Sequence, residues 1–154
     1  MVVVFVGHRE INATEKLKEQ IKKVIYESIS VQKKTIFYCG GYGKFDLLCA
    51  QVVKKLKEKE ININSFFVTP YVGVNYWNKL KSIEESNLYD GIVIPPIKNT
   101  PYKYSICRRN QFMVDWSDMI ISYVNHNWGG AYKTLEYARQ KKKRIINLAE
   151  IDKV

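Results

Sequence analysis

The sequence lacks the features that would place it in a membrane or outside the cell. No apolar run approaches the roughly 20 residues of a membrane-spanning helix, and the N-terminal stretch has neither the basic region nor the cleavage site of a signal peptide. Cysteine is scarce, with three residues among 154, and their number and spacing fit neither a disulfide framework nor a zinc site. We therefore expect a cytoplasmic protein with no membrane partner, no metal and no cofactor.

Acidic side chains are few relative to basic ones. The chain has 25 Lys and Arg residues against 15 Asp and Glu, for a formal net charge of +10. Such a balance favours anionic partners, among them nucleotides and nucleic acids. The basic run at 141–144 is typical of a solvated helix end, with contact to nucleic acid as the alternative. The length and the 46% of hydrophobic residues predict one domain over residues 1–154.

Apolar runs alternate with amphipathic stretches along the whole chain. The apolar runs predict strands at 2–6, 35–38, 63–68, 91–94, 119–124 and 144–148. The amphipathic stretches predict helices at 13–30, 45–56, 75–85, 104–116 and 132–140. This order predicts an α/β fold of the Rossmann-like kind, a mostly parallel sheet with helices on both faces. Ligands of such sheets bind beyond the carboxyl ends of the strands, so the loops there are the candidate site.

Two of these loops follow the first and second strands, and the second loop has three glycines in four positions. The candidate ligand-binding residues in them are Gly7, His8, Arg9, Gly40, Gly41, Gly43 and Asp46. Glycine lets the backbone approach a ligand closely, an arginine binds phosphate in a forked geometry, and the following helix N-terminus favours an anion. The alternative is a pair of polar turns, with Asp46 capping the second helix or pairing locally.

A glycine pair also follows the fifth strand, and a polar helix precedes that strand. The candidates here are Arg108, Arg109, Asn110, Trp128, Gly129, Gly130, Lys133, Thr134 and Glu136. Arginine near a helix start is electrostatically unfavourable, which suggests placement for a ligand, although surface arginines are the alternative. Glu136 is a candidate general base, or a residue that complements the helix N-terminus. His8 and His126 are lone histidines without a metal-ligating partner in the sequence.

The motifs taken together, in their order, resemble the SLOG superfamily. They are Gly7-His8-Arg9, the 40–46 loop with its three glycines and Asp46, the segment 109–118, and the segment 129–138. This superfamily joins the lonely-guy phosphoribohydrolases to the Rossmann domain of DNA-processing protein A. The resemblance covers nearly the whole chain and implies a Rossmann-like fold that binds nucleotides or ligands derived from them. It also implies that a homo-oligomer is possible, since family members often pair through helices beside the site.

The lonely-guy enzymes offer a catalytic reading of the same residues. Their arginine and glutamate, which cleave the N-glycosidic bond of a nucleoside monophosphate, correspond to Arg109 (or Arg108) and Glu136. Trp128 stands where those enzymes have proline, and Lys133 stands where they have a third glycine.

Three hypotheses follow for the function. The first is a protein that binds a nucleotide or nucleotide-derived phosphorylated ligand at the strand ends, as a sensor without turnover. The alternative is a nucleotide N-glycosidase that uses Arg109 and Glu136 and releases base and ribose 5-phosphate. A weaker alternative is binding of single-stranded nucleic acid.

Overall fold

The computed structural model describes residues 1–30, 32–60 and 62–151. Six strands form one sheet, in chain order β1 (Val2–Gly7), β2 (Thr35–Cys39), β3 (Ile63–Val68), β4 (Gly91–Val93), β5 (Met119–Tyr123) and β6 (Arg144–Asn147). The α-helices are α1 (Glu15–Ser28), α2 (Lys44–Lys57), α3 (Trp77–Glu85), α4 (Ser105–Trp116) and α5 (Gly129–Gln140). Single 3₁₀ turns at Val74–Tyr76 and Tyr102–Tyr104 precede α3 and α4.

The sheet is entirely parallel, with the strand order β4-β3-β2-β1-β5-β6. The chain builds outward from β1 through β2, β3 and β4, and then returns to place β5 on the other side of β1. The order therefore reverses between β1 and β5, where open parallel sheets have their ligand crevice. Because all strands point the same way, the loops after β1, β2 and β5 lie at one edge, as the sequence predicts.

Both faces of the sheet are covered by helices. Side chains alternate along β1, so Val3 and Phe5 pack with α1 and α2, while Val4 and Val6 pack with α4 and α5. The apolar side chains of α1 lie on one side of the helix and pack into the core on the α1 and α2 face of the sheet. Thr14 caps the helix by accepting a hydrogen bond from the Leu17 amide. The predicted fold class is thus confirmed.

Element boundaries differ from the sequence predictions mainly at α5. This helix begins at Gly129 rather than at residue 132, so the glycine pair forms its first turn instead of a preceding loop. Gly129 has a φ of +90°, which lets the chain turn sharply from Trp128 into the helix. None of the helices in the described part of the chain is long and apolar enough to cross a bilayer.

Candidate functional site

A pocket of about 90 Å³ opens at the carboxyl ends of β1 and β2 and beside the start of α5. Of the predicted site residues, it is lined by Gly7, Gly40, Asp46, Asn110, Gly130 and Thr134. We call it the edge pocket. A water molecule occupies about 30 Å³ in the liquid, so the edge pocket admits one end of a ligand while the rest extends along the sheet edge.

Other predicted site residues lie outside the lining of the edge pocket. They are His8, Arg9, Gly41, Gly43, Arg108, Arg109, Trp128, Gly129, Lys133 and Glu136. Gly43 has a structural task, because its φ is +92° and a Cβ there would lie 2.5 Å from the Cα of Arg9. Gly7 also allows close packing, since a Cβ would lie 2.2 Å from the Phe45 ring. These two glycines bring the first and second loops together, which the sequence alone did not indicate.

Among the described residues that line the edge pocket, one has an acidic side chain, and this residue is Asp46. Its Oδ2 accepts hydrogen bonds from the amides of Gly40, at 2.8 Å, and Gly41, at 3.0 Å. Its Oδ1 is buried and has no hydrogen-bond partner within the described part of the chain. Burial raises the pKa of Asp46 to about 6, although Arg109 and the two amides act in the opposite direction. The edge pocket is thus lined by a residue whose carboxyl group has one buried oxygen without a partner among the described residues.

Arg109 is buried, at 2% exposure, and its guanidinium binds the protein itself. Nη1 donates to the carbonyl oxygens of Gly40, at 2.9 Å, and Val68, at 2.7 Å, while Nε donates to Oδ1 of Asn110 at 2.8 Å. It therefore joins the ends of β2 and β3. The alternative of a surface arginine is wrong for Arg109 but holds for Arg108, which is exposed.

The first turn of α5 forms one wall of the edge pocket. The hydroxyl of Thr134 donates to the Gly130 carbonyl at 2.9 Å and accepts from Nδ2 of Asn110 at 3.2 Å. This contact fixes α4 against α5 at the mouth of the pocket. The first amides of a helix have no acceptor within the helix itself, and the first turn of α5 has no acidic residue. An anion at this helix start would be stabilised.

Glu136, one residue of the predicted catalytic pair, does not line the edge pocket. Glu136 lies two residues beyond Thr134, about 200° around the helix, and therefore faces away from the edge pocket. Its carboxylate is paired with Arg139 on the half-exposed side of α5. Lys133 is also exposed. The catalytic pair of Arg109 and Glu136 expected from the resemblance stays a prediction, with Glu136 on a different face of α5 from Thr134.

Three aromatic rings form a stack beside the start of α5, and we call them the ring stack. His8 and His126 have ring centroids 3.6 Å apart, and His126 and Trp128 have centroids 3.9 Å apart. Nε2 of His8 accepts a hydrogen bond from the Asn125 amide, so a neutral His8 carries its proton on Nδ1. Burial lowers the pKa of His8, and His126 lowers it further. Trp128 ends the stack and is 68% exposed, so one face of its ring remains open.

A cluster of four tyrosines at the same edge was missed from the sequence. The hydroxyls of Tyr42 and Tyr76 are 2.7 Å apart, Tyr71 meets Tyr76 edge-on, and Tyr71 stacks on Tyr102 with centroids 4.5 Å apart. Arg9 lies over the Tyr42 ring, with Cζ 5.7 Å from its centroid. Tyr42 and Tyr71 each lie shortly after a strand, β2 and β3, and this position is the feature of the sequence that could have indicated a place at the site. We call these four residues the tyrosine cluster.

Comparison with known proteins gives one curated relative and several solved structures. The uncharacterized SPbeta prophage-derived protein YoqJ of Bacillus subtilis (strain 168) is 26% identical over 141 residues, with 81% of each chain covered. DNA processing protein A from Helicobacter pylori has a TM-score of 0.63 at 19% identity, covering 94% of this chain and 63% of that one. The Streptococcus pneumoniae protein of that name has a TM-score of 0.63 at 17% identity, covering 93% of this chain and 48% of that one. No family model matches the sequence.

These similarities define the class of fold. The chain has the Rossmann-like fold of DNA processing protein A, which is the fold that the resemblance of its motifs implies. The chain spans less than two thirds of the length of either solved structure.

Proposed function

We propose that the chain binds a nucleotide or a nucleotide-derived phosphorylated ligand at the carboxyl ends of β1, β2 and β5. The observation that carries this proposal is Asp46, which lines a pocket whose other wall is the start of α5 and whose buried Oδ1 has no hydrogen-bond partner among the described residues. An unpaired buried carboxylate oxygen is costly. A ligand that donates a hydrogen bond to it removes that cost, and sugar hydroxyls and base N–H groups are such donors.

The two walls of the edge pocket give the ligand an orientation. Asp46 repels a phosphate when it is ionised, whereas the amides at the start of α5 attract one. The phosphate is therefore assigned to the Gly130 side and the hydroxyl-bearing part to the Asp46 side. The net charge of +10 favours the approach of such an anion.

Trp128 is the proposed platform for the base. One face of its ring is held by His126 and the other is open, next to the helix start that receives the phosphate. Stacking of a base on an aromatic side chain is worth about 1–3 kcal/mol.

The solved structures support the same general class of ligand. The Helicobacter pylori structure is described by its mode of binding single-stranded DNA, and its fold is shared by this chain. We infer a nucleotide-related ligand in a reducing cytoplasm, where the free cysteines Cys39, Cys49 and Cys107 are stable as thiols.

An N-glycosidase is the second candidate function, and Asp46 is the observation that favours it. A carboxyl group with a pKa of about 6 is suited to general acid or base catalysis near neutral pH. Glycoside cleavage usually uses two carboxylates, whereas Asp46 is the one found among the described residues lining the pocket. Release of free base from a nucleotide, lost in Asp46→Asn and kept in Glu136→Gln, would establish the enzyme.

The binding proposal is tested by a matched pair of tryptophan variants. A thermal-shift screen of nucleotides first selects the ligand, since binding raises the unfolding temperature. Trp128→Ala is then expected to weaken binding of that nucleotide about fivefold or more, from the loss of about 1–3 kcal/mol of stacking. Trp116→Ala removes a similarly exposed ring at the far end of α4 and should leave the affinity unchanged. Equal affinities of the two variants in titration calorimetry would contradict the assignment of the base to Trp128.

A further inference from the structure

A second pocket of about 260 Å³ lies along the same edge, beyond β3. Tyr71, Tyr76 and Tyr102 line it, together with Lys98 and Ser105. We call it the tyrosine pocket. Its volume is larger than that of the edge pocket, and neither the site described above nor the motifs of the sequence assign it a ligand.

A hydrogen-bonded pair of tyrosines connects the linings of the two pockets. Tyr42 lines the edge pocket and Tyr76 lines the tyrosine pocket, and their hydroxyls are 2.7 Å apart. Burial and the hydrogen bond to Tyr42 raise the pKa of Tyr76, so this hydroxyl remains protonated at neutral pH. A ligand that is anchored in the edge pocket and extends past this pair reaches the tyrosine pocket.

The chemistry of the tyrosine pocket suits a planar base next to a phosphate. Tyr71 holds one face of the Tyr102 ring by stacking, and Tyr102 is 76% exposed, so its other face is open. Lys98 supplies a positive charge, and no carboxylate is found among the described residues that line the pocket. Aromatic rings that accept bases, combined with cations that accept phosphates, are the usual means of binding several linked nucleotides.

We propose that the tyrosine pocket is a second base subsite, so that the natural ligand carries two nucleobases joined through phosphate. This inference rests on the proposed function, because the first base and its phosphate are anchored at Trp128 and α5. A ligand with two bases accounts for an edge pocket that is too small for a whole nucleotide. It also accounts for the two open aromatic faces, on Trp128 and on Tyr102.

The test compares ligands that share one base and differ in their number of bases. The probes are adenosine monophosphate, the 5′-phosphorylated adenosine dinucleotide with a phosphodiester link, and diadenosine diphosphate with a pyrophosphate link. At least one two-base probe is expected to bind tenfold or more tightly than the monophosphate. The preferred probe identifies the link, which separates a short nucleic-acid strand from a dinucleoside diphosphate.

Variants of Tyr102 show where the additional affinity arises. Tyr102→Ala is expected to abolish the gain of the two-base probe and leave monophosphate binding unchanged, while Tyr102→Phe, which keeps the ring, retains the gain. Tyr26→Ala removes an exposed tyrosine on α1 and serves as the control.

The possible failures are distinguishable. Monophosphate binding without any gain for two-base probes, or a gain that persists in Tyr102→Ala, overturns the second subsite and leaves the proposed function intact. Absence of binding by all three probes overturns both.

Discussion

Arg109→Ala is expected to lower the free energy of unfolding by about 3–5 kcal/mol, the range found when one partner of a buried charged interaction is removed. The guanidinium donates to the carbonyl oxygens of Gly40 and Val68 and lies beside the same glycine as Asp46. Its loss leaves two buried carbonyls and an ionised carboxyl group without their positive partner. Urea unfolding followed by circular dichroism measures the change.

The neighbouring arginine provides the control. Arg108 is exposed on the same helix, so Arg108→Ala should alter the unfolding free energy by no more than about 0.5 kcal/mol. If the two variants were equally stable, Arg109 would not join β2 to β3 as described. If Arg109→Ala were fully stable but failed to bind a nucleotide, Arg109 would contact the ligand directly, as the resemblance implies.

Asp46→Asn is expected to stabilise the protein at pH 8 and to impair ligand binding. The pKa of Asp46 is about 6 in the folded protein, above its ordinary value of 3.8, so the folded state holds this proton more tightly than the unfolded state. The stability associated with that proton is fully present below about pH 4 and is lost as the pH rises through 6. Asparagine resembles the protonated side chain and avoids the loss, so we expect a gain of about 1–3 kcal/mol at pH 8 that disappears near pH 4.

The effect of Asp46→Asn on binding has the opposite sign. The amide oxygen of the asparagine side chain can accept hydrogen bonds from the Gly40 and Gly41 amides, as Oδ2 of Asp46 does. Its NH₂ group then takes the position of Oδ1, where it cannot accept the hydrogen bond proposed from the ligand. Loss of a hydrogen bond to a charged group is worth about 1.5–3 kcal/mol, a fall in affinity of tenfold or more. Asp115→Asn, on the exposed end of α4, should leave the affinity unchanged. A variant that is less stable than the wild type at every pH would show that Asp46 serves the fold and not a ligand.

The fold could be predicted because its determinants are local. The runs at β1 and β5 are nearly continuous in apolar residues, as expected of strands buried on both faces, and the amphipathic helix α1 begins after a capping threonine. The parallel direction of the strands then placed the glycine loops at one edge. The loops that hold Asp46 and Thr134 were therefore predicted on one side of the sheet without knowledge of the strand order.

The remaining features of the site depend on contacts between distant elements. The sequence does not show that the guanidinium of Arg109, a predicted ligand contact, reaches the carbonyl oxygens at the ends of β2 and β3. The stacking of His8 on His126 requires β1 to lie next to β5, which only the strand order reveals. The position of Glu136 relative to Thr134, in contrast, could have been predicted from the sequence, because residues two apart in a helix lie on different faces.

The central claim is that a nucleotide binds at the carboxyl ends of β1, β2 and β5, and amide chemical shifts test it most directly. Titration of ¹⁵N-labelled protein with the nucleotide selected by thermal shift is expected to move the amide signals of Gly40, Gly41 and Gly130 and the indole signal of Trp128. The amides of α1 and of the outer face of α2 should stay in place. Shifts confined to those two helices, or spread evenly over the chain, would contradict the claim.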